Sequence, residues 1–359
     1  MKMFTKLALV SSMAISANAM AMQSMDDAAL SAATGQDGIN IGIGISKIEI
    51  AKVLVHDNDG FTSPTTATAA GQAGFGGSAT AGAIVIKGNG AGKTTTNGIV
   101  IEAPVNAAGN AYDTTRKLPS SLLAELVIDT DKGTGTGNTA FLNVAAKVSG
   151  LDIYIGEIGI SASNAVPAPG ATTIRRGADE ANNYNKILSG LTLKTGVMTA
   201  NVQLGAAPQG AMIILSTTMT GGLTIENLGI VGAKTGTPVA AGVPTTTDGQ
   251  ISIGSIKIAN AGGTDLNVNA KVDVLGKSAA NNGFLRITTG SGTAYGSALQ
   301  AGDSQDMYIS SVRLGDATDA KSIGDVEIQG MTTYYNNGGG FSATNANERA
   351  GAMITISGH

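Results

Sequence analysis

Ile251-Ser-Ile253-Gly-Ser-Ile256-Lys-Ile258 is one of five copies of a single phrase: apolar, any, apolar, two of anything, apolar, any, apolar. The others are Ile43-Gly-Ile45-Ser-Lys-Ile48-Glu-Ile50, Ile153-Tyr-Ile155-Gly-Glu-Ile158-Gly-Ile160, Leu223-Thr-Ile225-Glu-Asn-Leu228-Gly-Ile230 and Met307-Tyr-Ile309-Ser-Ser-Val312-Arg-Leu314. Strict alternation marks a strand with one apolar face, because successive side chains point to opposite sides of the sheet. The doublet in the middle breaks it. In an unbroken strand the second apolar pair would turn to the other face; a bulge or corner at the doublet returns both pairs to one common interior. The doublets are small or polar, and no framed position is aromatic. The pattern therefore predicts five copies of one bent strand around an aliphatic interior.

The copies begin 110, 70, 28 and 56 residues apart, which disfavours a solenoid of fixed period. The expected fold class is all-β: an elongated sheet stack of bent strands, either an irregular β-solenoid or β-sandwich-like, with one short N-terminal helix. Alternation alone leaves its closure open.

Met1 to Ala21 has the form of a secretory signal peptide: Lys2 and Lys6, an apolar stretch Leu7 to Ala17, then Ala17-Asn-Ala19 or Ala19-Met-Ala21 as the cleavage site. No later apolar run approaches the ~20 residues of a membrane-spanning helix. Export is expected, through the periplasm to the cell surface or beyond. Losing the leader moves the formal charge from −4 to −6, an acidic balance that argues against nucleic acid as a partner. With no cysteine, neither disulfides nor thiolate chemistry are available.

Ser24 to Thr34 reads as the one helix after the leader, with Ser24 and Asp27 as a capping box and Gly35 at its end. Residues 22–38 are then a short helix and turn, and 39–359 one β-rich domain with Gly/Thr/Ala/Pro-rich excursions near 61–82, 162–186 and 233–248. Ile39 to Val55 is the longest β stretch; Ala83 to Ile86 and Ile99 to Ile101 look like a strand pair around a glycine-rich turn. Pro104 to Ser121 reads as loop.

Leu30-Ser31, then Thr34-Gly35-Gln36-Asp37-Gly38-Ile39 leading into an alternating strand, with the turn His56-Asp57-Asn58-Asp59-Gly60, resembles the start of exported gamma-proteobacterial pilus assembly proteins of the Fil type. The resemblance is best over residues 20–60. It implies a component of a surface filament and assigns no site.

Candidate chemistry is sparse. Gly92-Lys93-Thr94 follows a strand, but Lys87 stands where a phosphate loop needs its first glycine. Asp57 with Asp59, and Asp129 with Asp131, set carboxylates on alternate residues of turns, as calcium loops begin; Asp316, Asp319 or Asp325 could complete such a site. Calcium is the one candidate cofactor, with ordinary Asx turns as the plainer reading. The two histidines, His56 and His359, give a catalytic triad almost no material, and the absence of tryptophan argues against a sugar-cleaving groove.

What remains is a structural role without catalysis. The candidate assembly strand carries Ile39, Ile41, Ile43, Ile45, Ile48 and Ile50, an edge able to pair with another copy. The expected partners are further copies or other fibre subunits, with periplasmic or outer-membrane assembly proteins as helpers, in adhesion and biofilm formation. The alternative is a secreted or cell-surface binding protein, calcium-stabilised, with no assembly role.

Overall fold

The computed structural model describes residues 38–106, 108–232, 249–276, 283–314, 322–336 and 347–358. The leader, the Ser24–Thr34 helix, the 233–248 excursion, Asp316, Asp319 and His359 lie outside them. The described chain is nearly all β, with 54% strand and 1% helix over the molecule. It forms stacked antiparallel sheets of bent strands, as the phrase predicted, and no closed barrel, which alternation had left open.

The architecture is an up-and-down meander of eight long rows, each crossing two sheets stacked end on. In the first sheet the rows are Gly38–Ile43, Ala124–Asp131, Phe141–Val148, Met198–Gly205, Ile213–Met219, Leu266–Leu275, Phe284–Thr289 and Ala352–Ile356. In the second, rows 1 to 4 are each split in two: Lys47–Ile50 with Lys52–Asp57, Gly82–Lys87 with Ile99–Glu102, Asp152–Ile155 with Glu157–Ala162, and Tyr184–Leu188 with Leu191–Lys194. Rows 5 to 8 are Leu223–Val231, Gln250–Asn260, Ser304–Leu314 and Ser322–Thr332. A small hairpin, Tyr334–Asn336 with Glu348–Ala350, is inserted in row 8.

Two expectations are corrected here. Gly82–Lys87 and Ile99–Glu102 do not pair with each other. They are consecutive halves of row 2, and each pairs with rows 1 and 3. The first phrase copy also sits differently from the other four, because Gly44 to Ser46 is the passage from one sheet to the other. Row 1 carries its bend at Ala51, framed by Ile48, Ile50, Val53 and Val55, the same phrase five residues later.

In the second sheet all the bends fall at one height. Ala51, residues 88–98, Gly156, the pair Ser189-Gly190, Asn227, Gly254, Ser311 and Gly324 interrupt rows 1 to 8 in turn. Backbone hydrogen bonds run along this crease, from Gly98 N to Ala51 O (2.9 Å) and from Gly156 N to Gly98 O (2.8 Å). A Cβ on Gly156 would lie 2.2 Å from the Lys87 carbonyl oxygen, so only glycine lets rows 2 and 3 approach there. Asn227 (φ 58°) and Ser311 (φ 56°) are left-handed, which turns the chain over at the doublet.

Across the rows, directly opposed residues share a face. One ladder in the second sheet is aliphatic from edge to edge: Ile48, Ile101, Ile153, Leu193, Ile225, Ile256, Ile309, Val326. The first sheet has its equal in Ile39, Ile128, Val144, Val202, Ile213, Val272, Ile287 and Ile354. The common interior expected for these residues is absent. Among the described residues no isoleucine is buried, and the buried positions in the second sheet alternate with the aliphatic ones: Val85, Val100, Asp152, Ser161, Thr192 and Ser252. On both sides of the crease the small residues are the covered ones, and the aliphatic ladders on the other side are half-buried along their middle and exposed at Ile39, Ile354 and Val326.

The chain's own loops lie on the small-residue face. Lys93, in the turn Gly92–Thr94 of the 88–98 loop, reaches Glu102 (2.8 Å). Glu180, in the 163–183 loop, bonds Lys52 (2.5 Å) and Lys87 (3.5 Å). Where the two sheets meet, Leu118, Ala124, Met219 and Leu266 are buried, and so is Asp152, whose Oδ1 accepts from Arg116 Nη2 (2.7 Å) and whose Oδ2 accepts from Val105 N (3.1 Å). Arg116 also donates to the Leu151 and Thr195 carbonyls at 2.9 and 2.8 Å, tying the 103–123 loop to rows 3 and 4.

Asp152→Ala is expected to cost about 3–5 kcal/mol in urea unfolding, because it leaves the largely buried Arg116 without its carboxylate. Asn227→Val and Ser311→Val each cost about 1–2 kcal/mol, while Ser311→Gly is neutral or stabilising in the same measurement. Equal, small effects from all three crease variants would contradict the left-handed bends.

Candidate functional site

The described structure offers two surfaces that lack cover: the aliphatic side of the sheets and the outer rows, 1 and 8. Along the open side lie Val55, Ile84 and Ile160, mutually paired and 57%, 45% and 48% exposed, and farther along Ile230, Ile251 and Leu314, also paired and exposed. Two such exposed apolar trios on one side of a lone chain mark an interaction surface more than a resting exterior.

Rows 1 and 8 each have one neighbouring row, so each presents a line of backbone donors and acceptors to a potential partner. Ile39, Ile41 and Ile43 are on Gly38–Ile43, Ile48 and Ile50 on Lys47–Ile50, and Ile45 lies between. All six sequence-predicted assembly residues are therefore on an open edge. Ile39, Ile41 and Ile45 are among the exposed large apolar residues.

The four acidic candidates are not brought together. Asp57 closes row 1 of the second sheet, where its Oδ1 accepts from the backbone of Asp59 (3.4 Å) and Gly60 (3.2 Å). Asp129 and Asp131 lie in row 2 of the first sheet, where Asp131 Oδ1 accepts from Gly133 N (2.6 Å). Asp325 is seven rows from Asp57, and its oxygens take Ser311 N (2.8 Å) and the Tyr308 hydroxyl (2.7 Å). Among the described residues there is no group of three His, Cys, Asp or Glu side chains able to hold a metal ion.

Three clusters escaped the sequence reading. His56 Nδ1 lies 2.8 Å from Ser163 Oγ, which is also 3.2 Å from the Asn164 carbonyl oxygen. Tyr184 covers Gly159, where a Cβ would lie 2.4 Å from the ring, and Lys87 Nζ stands 3.7 Å above the ring centroid with Glu157 and Glu180 beside it. Burial, then the Glu157 carboxylate, pushes the Tyr184 phenol upward; burial, then Asp152 and Glu102, pushes Tyr154 up to about 12. Both phenols therefore stay neutral and serve as packing. The Arg116–Asp152 pair had no signal, since Arg116 stands in a stretch that reads only as loop.

Row 8 is held by aspartates. Hydrogen bonds from Gly262 N and Gly330 N hold Asp306 below its ordinary range, and those from Ser311 N and the Tyr308 hydroxyl do the same for Asp325. The depressed native values mean that this support is present above the ordinary aspartate value near 3.9 and is lost as the pH falls through the native ones.

A family of unknown function (DUF6160) matches residues 1–110, a stretch that includes the whole of row 1 and both halves of row 2 in the second sheet. No curated protein and no solved structure matches the chain. Among the described residues no helix is long and apolar enough to cross a membrane.

On acidification below about pH 4, amide exchange in Ser322–Thr332 is expected to accelerate before that in rows 2 to 5. Uniform loss of protection in all rows would contradict the bracing role of Asp306 and Asp325.

Proposed function

We propose that this chain is a non-enzymatic structural subunit of a bacterial surface fibre, exported and assembled through its sheets, and serving adhesion and biofilm formation. The observation that carries the reading is the uncovered aliphatic side together with two open outer rows. A polypeptide that lays its loops over the small, polar face and leaves its isoleucines outside is built to be covered by something else.

The chemistry supports a scaffold. The charged groups on and around the sheets pair with one another: Arg116 with the buried Asp152, and the partly exposed Lys87 with Glu157 and Glu180 and Lys194 with Glu226 at 2.8 Å. These contacts hold loops and rows together and leave little for a reaction. The resemblance of residues 20–60 to the Fil-type pilus assembly proteins points the same way.

Protein made from the full chain and processed by the cell is expected to form species larger than one chain in analytical ultracentrifugation at micromolar concentration. Placing glutamate at both Ile153 and Ile225, in the middle of the open ladder, reduces that association by at least tenfold. A wild-type chain that remains a monodisperse monomer at high concentration would contradict the assembly role.

A further inference from the structure

The fibre reading leaves open how copies join, and the two outer rows carry an answer that rests on it. We propose that copies add head to tail into one continuous sheet, with row 8 of one copy antiparallel to row 1 of the next, so that Ile354 faces Ile39 and Val326 faces Ile48.

Strand direction comes first. Row 1 runs from the first sheet into the second, and row 8 runs from the second back to the first. With eight rows the two edges are antiparallel, so simple translation of a second copy sets first sheet against first and second against second. The joint is heterologous and does not exhaust itself: every copy added leaves a fresh row 8 at one end and a fresh row 1 at the other, which is the rule for an open filament.

Register comes next. The two unbroken aliphatic ladders begin at Ile39 and Ile48 and end at Ile354 and Val326, so the translated copy continues both without a step. Row 1 separates its two ladder positions by nine residues, as row 3 does between Val144 and Ile153. Its edge thus repeats the spacing of an interior row. Neither outer row contains a proline, the residue that most directly blocks strand addition.

Charge selects this register. One position along from the aliphatic ladder of the second sheet, the opposed residues begin Lys47, Glu102, Asp152, Lys194 and end at Tyr308 and Glu327. In the joined sheet Glu327 stands opposite Lys47 of the next copy, an opposite-charge cross-strand pair. The same register sets Glu49 against Asp325, a repulsion that Lys47, paired with Glu49 in its own chain, offsets in part. Closing rows 1 and 8 of one chain into a barrel demands a stagger of several residues, which would carry Glu327 away from Lys47. A second copy demands none.

The chain has no cysteine, so paired cysteine variants report the joint directly. Ile39 and Ile354 are 61% and 49% exposed, so either can be replaced without loss of packing. Ile39→Cys and Ile354→Cys, made in separate full chains and mixed under oxidation, are expected to give a disulfide-linked dimer that neither gives alone. Asn40→Cys with Met353→Cys tests the same register one residue along, where the alternate hydrogen-bonding geometry applies. Lys47→Glu weakens association about two- to fivefold, and Glu327→Lys in the same chain restores it. Association without either crosslink leaves the fibre role standing and overturns this joint. A monomeric wild-type chain overturns both.

Discussion

The crease is the constraint on which the rest depends. A long strand in regular pleat would carry Ile225 and Leu228, or Ile309 and Val312, to opposite faces, because they are three residues apart. The left-handed residues Asn227 and Ser311 undo that reversal at a single height of the second sheet, and close approach at Gly156 lets the neighbouring rows follow. A bend in one row alone would break the ladder with the next. Eight interruptions in line preserve the pairing and keep the aliphatic ladders on one side.

Once the faces are sorted, the loops decide which of them is covered. The 88–98 and 163–183 segments are rich in Thr, Asn, Gly and charged residues, and together with Arg116 of the 103–123 segment they bond to Glu102, Asp152, Lys52 and Lys87. Such loops satisfy a polar face through ion pairs and hydrogen bonds. The covered face is therefore the small one, where Val85, Val100 and Asp152 are wholly or nearly wholly buried. The large aliphatic face is left to a partner, and the open edges supply the direction in which a partner can be added.

Much of this was legible in the chain. The phrase gave the bent strands, and the long segments near 61–82 and 162–186 fall between the end of one row and the start of the next, at the far end of the second sheet. Periodicity could not say which face is inside, because alternation defines two faces without naming the covered one. It also misread Gly82–Lys87 and Ile99–Glu102 as a hairpin, since a glycine-rich link looks the same whether the chain turns back or steps across a crease. Ile43 to Ile50 matched the phrase while spanning two sheets, an accident of two overlapping alternations in row 1. The Arg116–Asp152 pin and the Tyr184 cover over Gly159 join residues far apart in sequence, where no local rule reaches.

The central claim is that the aliphatic ladders are open in the single chain and become covered on assembly. Carbene footprinting read by mass spectrometry tests it most directly, comparing Ile153, Leu193 and Ile225 with the covered Val85 and Val100. The account predicts strong labelling of the three ladder residues in dispersed chains, loss of that labelling in assembled material, and little labelling of the two valines in either. Ladder residues already protected in the dispersed chain would show that the molecule covers its own aliphatic face, and would contradict it.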